Sequence, residues 1–352
     1  MSCRMKTRRR IGGGLAVGLL AAAISHGATA KDLKTISMIY FNGSSESVEV
    51  GLMVDEGILE RNGLKPEFAK ATSGPAITSA LASGSVQFGP GYPALYLPAL
   101  KQNRALRVAA PFATSLFYNV IAQKSIDLVD PGVGVNSNAL ENVKRMRGKT
   151  VGVVALGGQT QVFVQLLAQK AGVDHRDITF VPTGGAASAL AAFKNKQIDF
   201  LVTWMPEDGL FGPQGIEYQT AVNVNSGPDN NLGLIVNLWL VNADFAAANP
   251  DIAQAFCKAT VEVRQFVKDP KNKERVLEIM QKYQGLDRKG AEIVYGKWRY
   301  VYEPIKVNYI SEDLWREQSR FLSGTKDEGY VPDYNKHVNA DCMKLGQEAM
   351  KQ

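Results

Sequence analysis

Cysteine and histidine are scarce, with three of each in 352 residues. That excludes a disulfide-dense scaffold and any Cys-rich zinc or iron–sulfur framework. His175 and His337 stand far apart beyond the first 30 residues, an arrangement that speaks against a Ser-His-Asp triad or a histidine-rich metal site. No apolar run after residue 30 approaches 18 residues, so none there is expected to span a membrane. The phosphate cradles of nucleotide enzymes are missing too. No Gly-x-Gly-x-x-Gly follows the first predicted strand, and no glycine loop ends in a Walker lysine. What remains is globular: 45% apolar, 21% charged, 33 Gly and 15 Pro. At roughly 150 residues per domain, the length suggests two.

The formal charge of +6 is concentrated at one end. Arg4, Lys6, Arg8, Arg9 and Arg10 precede an apolar run, Ile11 to Ile24, and then Ser25-His26-Gly27-Ala28-Thr29-Ala30. A basic region, a short apolar stretch and a small-residue Ala-x-Ala site describe a cleavable export signal. The expected cleavage follows Ala30. The run is too short for a membrane anchor, which needs about 20 residues. Thr7-Arg8-Arg9-Arg10-Ile11 partly matches a twin-arginine signal, so either export route is open. Without these residues 35 basic groups face 34 acidic ones, a charge of +1. No basic stripe is left for a nucleic-acid backbone. Of the cysteines, Cys257 and Cys342 remain. They either pair in an oxidising compartment or stand as two separate buried thiols, and spacing alone does not decide.

From Leu33 onward short apolar strands alternate with amphipathic helices. Thr35–Tyr40, Pro66–Ala69, Val86–Phe88 and Arg107–Ala110 read as strands. Val48, Leu52, Met53 and Leu59 recur at helical spacing up to Asn62-Gly63, and Ser73-Gly74-Pro75 opens a further helix. The order then repeats with strands at Thr150–Ala155, Ile178–Val181 and Ile198–Val202. At a register of 112, Phe68 falls on Phe180, Ala80 on Ala192, Phe88 on Phe200 and Tyr92 on Trp204. The pattern predicts two similar α/β lobes with mostly parallel sheets. Lobe one is expected over residues 31–115, lobe two over 116–227, and the return to lobe one over 228–352. Leu232–Val241 reads as a buried strand and Asn249-Pro250-Asp251 as the start of a long helix. Residues 274–352 read as aromatic-rich helices packed on lobe one. The chain would thus cross between lobes twice.

Five Gly- and Ser-rich segments lie between a strand and a helix. They are Asn42–Glu46, Ser73–Pro75, Gly89–Tyr92, Gly157–Thr160 and Thr183–Gly185. In α/β sheets ligands sit beyond the carboxyl ends of strands, where such loops gather. Helix N-termini there offer free N–H groups, which suit an anion. Each segment taken alone is also an ordinary cap or turn. Five across two lobes point to a cleft. Tyr40, Phe41, Tyr92 and Trp204, with Tyr118 and Trp239 as further candidates, are aromatics placed to line it or to pack in the core. Glu207 and Asp208 read as a solvated turn, with no partner base for catalysis.

Val54-Asp55-Glu56-Gly57-Ile58-Leu59-Glu60-Arg61-Asn62-Gly63-Leu64 resembles the first helix and turn of the bacterial substrate-binding proteins for sulfonate, taurine and nitrate uptake, a family that includes binders of thiamine pyrimidine precursors. Thr78–Gly89, Gly148–Val153 and Ala189–Trp204 resemble further segments of that family. The likeness runs from about residue 33 to 270. It implies a two-lobed periplasmic-binding-protein fold of type II, with a double hinge crossover and a helical C-terminal tail on lobe one. It also implies a periplasmic receptor, not an enzyme, that closes over a solute and hands it to the permease and ATPase of an ABC importer. The expected partners are that solute and that transporter, with no nucleic acid, no cofactor and no metal, in a monomer. The expected ligand-binding residues are Asn42, Ser44, Ser45, Ser73, Gly74 and Tyr92 from lobe one. Gly158, Gln159, Thr160, Gly185 and Trp204 are expected from lobe two. A sulfonate-like or other small anion is the first expectation, and a neutral or aromatic heterocycle the alternative. No Arg stands in these loops, which a sulfonate site would welcome. An enzyme acting on a small heterocycle is the rival class on the same fold.

Overall fold

The computed structural model describes residues 32–41, 43–71, 73–113, 118–132, 138–203, 209–223, 237–301, 310–322 and 330–349. The export-signal reading falls outside them, as do Asn42, Trp204, Glu207 and Asp208. The first half runs β1 (Lys34–Phe41), α1 (Glu46–Asp55), α2 (Ile58–Arg61), β2 (Leu64–Ala71), α3 (Gly74–Ser83), β3 (Phe88–Gly91), α4 (Pro93–Lys101) and β4 (Leu106–Ala113). β5 (Asn119–Ala122), α5 (Ala139–Lys144), β6 (Thr150–Val153), α6 (Gln159–Lys170), β7 (Thr179–Pro182), α7 (Ala186–Lys194), β8 (Phe200–Thr203) and β9 (Gln219–Asn223) follow. β10 (Asn237–Asn242) then leads into the C-terminal helices.

The single helix expected from Val48 to Leu59 is two. Gly57 takes a φ of +63°, a left-handed turn that only glycine adopts freely, and the chain restarts as α2. β3 also differs from expectation. The Gly89-Pro90-Gly91 segment, read as a loop, is the strand itself. β3 is central and buried, and side chains close over its glycines. A Cβ on Gly89 would stand 2.7 Å from Ile39, and one on Gly91 would stand 2.3 Å from Leu240.

Two five-stranded sheets form, in the orders β2-β1-β3-β10-β4 and β7-β6-β8-β5-β9. They are less parallel than expected. β10 runs against β3 and β4, and β5 runs against β8 and β9. The reason lies in where these strands begin. β1 and β6 end at the edge of the sheets where the two halves face each other. β5 and β10 start at that edge, because the chain has just crossed from the other sheet, so they must run back. The sheet that receives β10 is thereby completed by a strand far away in sequence.

Buried residues of both sheets and of the C-terminal helices share one large apolar cluster. Phe256, on the helix Pro250–Lys268, stacks on Phe88 with ring centroids 4.2 Å apart. The helix Lys273–Gln284 lies against α1, close enough that a Cβ on Gly51 would meet Tyr283 at 2.6 Å. Trp315 stacks on Tyr96 of α4, so the aromatic tail does cover the first sheet's helices. Cys257 and Cys342 are bonded, their Cα atoms 5.7 Å apart, which pins the helix Ala340–Ala349 to the long helix. Among the described residues no helix is long and apolar enough to cross a membrane.

Candidate functional site

A cleft of about 560 Å³, its open mouth included, lies between the facing edges of the two sheets. From the first sheet's side come Phe41 at the end of β1, Ser44, Ser45 and Glu46 at the start of α1, Gly74 of α3, Tyr92 and Leu95 at the start of α4, and Asn237 at the start of β10. From the second come Val154 and Ala155 after β6, with Gly158, Gln159 and Thr160 at the start of α6. Tyr118 stands just before β5, on the chain's way from one sheet to the other. Seven of the residues expected from the sequence are thus brought together: Ser44, Ser45, Gly74, Tyr92, Gly158, Gln159 and Thr160.

Their local roles differ. Glycine at position 74 lets α3 approach Tyr92, since a Cβ there would lie 2.8 Å from Leu95 and 3.1 Å from the Tyr92 ring. Ser73 is beside the cleft and caps α3, its Oγ accepting from the Ala76 amide at 3.4 Å. Gly185 is not on the cleft wall. It caps α7 and faces Phe41, whose Cζ would be 3.6 Å from an added Cβ. Thr160 turns its hydroxyl inward, Oγ1 accepting from the Val154 amide at 3.0 Å. Gln159 reaches across the cleft, where its Oε1 accepts from the Ala94 amide of α4 at 2.9 Å. It caps a helix of the opposite lobe. Trp239, a candidate wall residue, is fully buried instead. Its Nε1 donates to Glu49 Oε2 at 2.6 Å, and its ring packs edge-on to Phe112 and Phe256. Tyr40 packs edge-on to Phe68 away from the cleft.

The polar centre of the cleft is a residue that sequence reasoning passed over. Glu46, at the first position of α1, is buried. Its Oε1 accepts from Tyr92 Oη at 3.2 Å and from Asn237 Nδ2. Burial holds its carboxyl above the usual glutamate range, while Ser44, its own backbone amide, Tyr92 and Ser45 pull the other way. Burial also lifts the Tyr92 hydroxyl well above the ordinary tyrosine range, with Glu46 and Tyr118 adding to it. Asn237 was missed as well, though a signal was there: it is the polar interruption of an otherwise apolar run, Leu232 to Val241. Among the described residues lining the cleft none is Lys, Arg or His. No group of His, Cys, Asp or Glu among the described residues is arranged to hold a metal ion.

The fold matches known structures closely. The alkanesulfonate-binding protein SsuA from Xanthomonas axonopodis pv. citri, solved bound to MOPS, superposes with a TM-score of 0.67. The match covers 86% of this chain and 97% of that one at 18% identity. The periplasmic nitrate-binding protein NrtA from Synechocystis PCC 6803 superposes at 0.71, over 91% and 90% of the two chains, at 14% identity. These likenesses show the two-lobed periplasmic-binding-protein fold. A putative binding protein of Brucella abortus (strain 2308) is 25% identical over 244 residues, 68% of each chain. Residues 50–273, well over half of the chain, match the family described as NMT1/THI5 like, and the chain belongs to the NMT1/THI5-like family.

Proposed function

We propose that the chain is the solute-binding receptor of an ABC importer. It closes two lobes over a small organic solute in the periplasm and delivers it to a membrane permease and its ATPase, after export and cleavage behind Ala30. The observation that carries this reading is the cleft itself. Its walls come from both sheets, and Gln159 already bonds across it to Ala94. A molecule held there touches both lobes only when they are closed, so binding favours the closed state. Asn42 and Trp204 remain proposed ligand-binding residues.

The lining also bears on the ligand. A sulfonate or nitrate would meet no basic side chain among the described wall residues, and would approach the buried Glu46 carboxyl. The neutral or aromatic heterocycle is therefore the better-supported of the two ligand classes. Aromatic rings at Phe41, Tyr92 and Tyr118 suit its flat body.

A thermal-shift screen of the purified chain tests the reading. The panel holds alkanesulfonates, taurine, nitrate, aromatic carboxylates, pyrimidines and flavins. A ligand at about 100 times its Kd adds roughly 2.7 kcal/mol of stability. The expected result is a stabilising compound recovered unchanged, with a smaller radius of gyration in solution. Conversion of the compound makes the chain an enzyme. A panel without any stabilising member overturns the receptor reading.

A further inference from the structure

Glu46 is the one acidic side chain among the described residues of the cleft wall. Its two oxygens are not equivalent. Oε1 is served twice, by Tyr92 Oη and by Asn237 Nδ2. Oε2 is buried and has no aligned hydrogen-bond partner in the protein, and the same holds for Oδ1 of Asn237. With Glu46 ionised, both orphaned atoms are acceptors. The donors on Tyr92 and Asn237 are already directed at Oε1, and the Ser44 and Ser45 hydroxyls and the Glu46 amide, which lie near the carboxyl, are not aligned with Oε2. The Ser44 hydroxyl is also buried without an aligned hydrogen bond, near enough to Glu46 to lower its proton affinity, but it can donate or accept, so it does not set the sign. A buried acceptor without a donor is costly, and a ligand that brings N–H groups removes that cost. An anionic head does the reverse, adding further acceptors beside a carboxyl.

The helix geometry points the same way. The N-terminus of α1 would ordinarily attract an anion. Here the first turn already carries two acidic side chains, Glu46 and Glu49. The positive end of α1 is answered from within the chain.

Resting on the receptor reading above, we propose that Glu46 selects the solute by charge. The cleft takes an organic cation whose N–H groups, as on an amidinium or a protonated amino-heterocycle, donate to Glu46 Oε2 and Asn237 Oδ1. The raised proton affinity of Glu46 in the free chain fits this role. A cation beside the carboxyl favours its ionised form.

Three probes of one size and shape test the proposal: benzamidinium, benzamide and benzoate. Binding of each to the full chain is measured by calorimetry near neutral pH. Benzamidinium is expected to bind at least roughly tenfold more tightly than benzoate, as befits one charge-assisted hydrogen bond. Glu46→Gln replaces the second acceptor with a donor of equal size and should abolish that preference. The wild-type ranking needs no variant, and a thermal melt shows whether Glu46→Gln folds. Benzoate binding as tightly as benzamidinium, a preference that survives a folded Glu46→Gln, or no benzamidinium binding at about 10 mM each overturns the proposal. The receptor reading is judged separately. It stands if any solute of the wider panel compacts the chain, and falls if none does.

Discussion

The two lobes are the same frame carrying different chemistry. In the first sheet Met38 is the partner of both Phe68 and Phe88, and in the second Val151 is the partner of both Phe180 and Phe200. The two pairs of phenylalanines thus occupy corresponding places, as the register of 112 in the sequence implies. The helices that follow the equivalent strands β1 and β6 are α1 and α6, and both start at the cleft. α1 carries Glu46 and Glu49 in its first turn, whereas α6 begins at Gly158 with no acid in its own. Lobe one therefore presents a carboxyl, an amide and a phenol. Lobe two presents glycine and glutamine, with the Thr160 hydroxyl engaged by the Val154 amide beside them. On the proposed receptor reading, the repeated frame sets where the ligand sits, and the side chains at helix starts set which end of it each lobe holds.

Lobe one supports its acid-rich helix with a buried ion pair. Arg264 Nη2 lies 3.3 Å from Glu49 Oε1, with both side chains almost fully buried, and Arg264 also donates to the Thr260 carbonyl at 2.7 Å. Together with Trp239 this ties α1 to β10 and to the long C-terminal helix. Removing one member of such a pair strands the other, which costs about 3–5 kcal/mol. Arg264→Ala should lower stability by that amount in a urea melt. Among the described residues the ion pairs of lobe two are exposed, as with Arg147 and Asp177 at 3.5 Å. Arg147→Ala should move the melt far less. Equal losses would mean that the buried network of lobe one is no more than an ordinary surface pair.

A smaller effect is expected where the lobes touch. Gln159 Oε1 accepts from Ala94 across the cleft. One hydrogen bond is worth about 1 kcal/mol net, roughly a fivefold change in an equilibrium. Gln159→Ala should shift the ligand-free chain toward an open form by that factor, seen as a larger radius of gyration in solution scattering. An unchanged radius would show that the bond follows closure and does not favour it.

Much of this architecture is legible in the sequence because it rests on local signals. Strand alternation in Lys34–Phe41, the Ser73-Gly74-Pro75 helix start and the repeat of phenylalanines all act over short range. The cleft's loops follow, since strand ends and helix starts place them. What escapes notice depends on contacts between distant segments. Glu46 is a conventional helix-start acid until β10 brings Asn237 beside it, 191 residues later. Trp239 looks like a wall residue until the helix Pro250–Lys268 and Glu49 enclose it. The reversal of β5 and β10 likewise follows from where the crossings enter each sheet, which no local period encodes. The disulfide needed the fold for the same reason, because 85 residues separate its ends.

The smallest expected difference lies between two corresponding helix caps. α3 starts behind Ser73, whose hydroxyl accepts from Ala76, while α7 starts behind Gly185, which has no side chain to do so. Both residues are extended, with φ of −163° at Ser73 and −81° at Gly185, so neither needs glycine's special freedom. Serine at 185 also has room, since the nearest atom to a new Cβ is Phe41 Cζ at 3.6 Å. Ser73→Ala should cost about 0.5–1 kcal/mol, and Gly185→Ser should gain about 0.3 kcal/mol, both read from ligand-free melts. The two changes exchange the capping states of the lobes. A gain at 185 as large as the loss at 73 would make the caps equivalent and leave the difference between the lobes to the cleft. A loss at 185 would mean that Gly185 is held by its approach to Phe41, and so belongs to the closing surface and not to the helix.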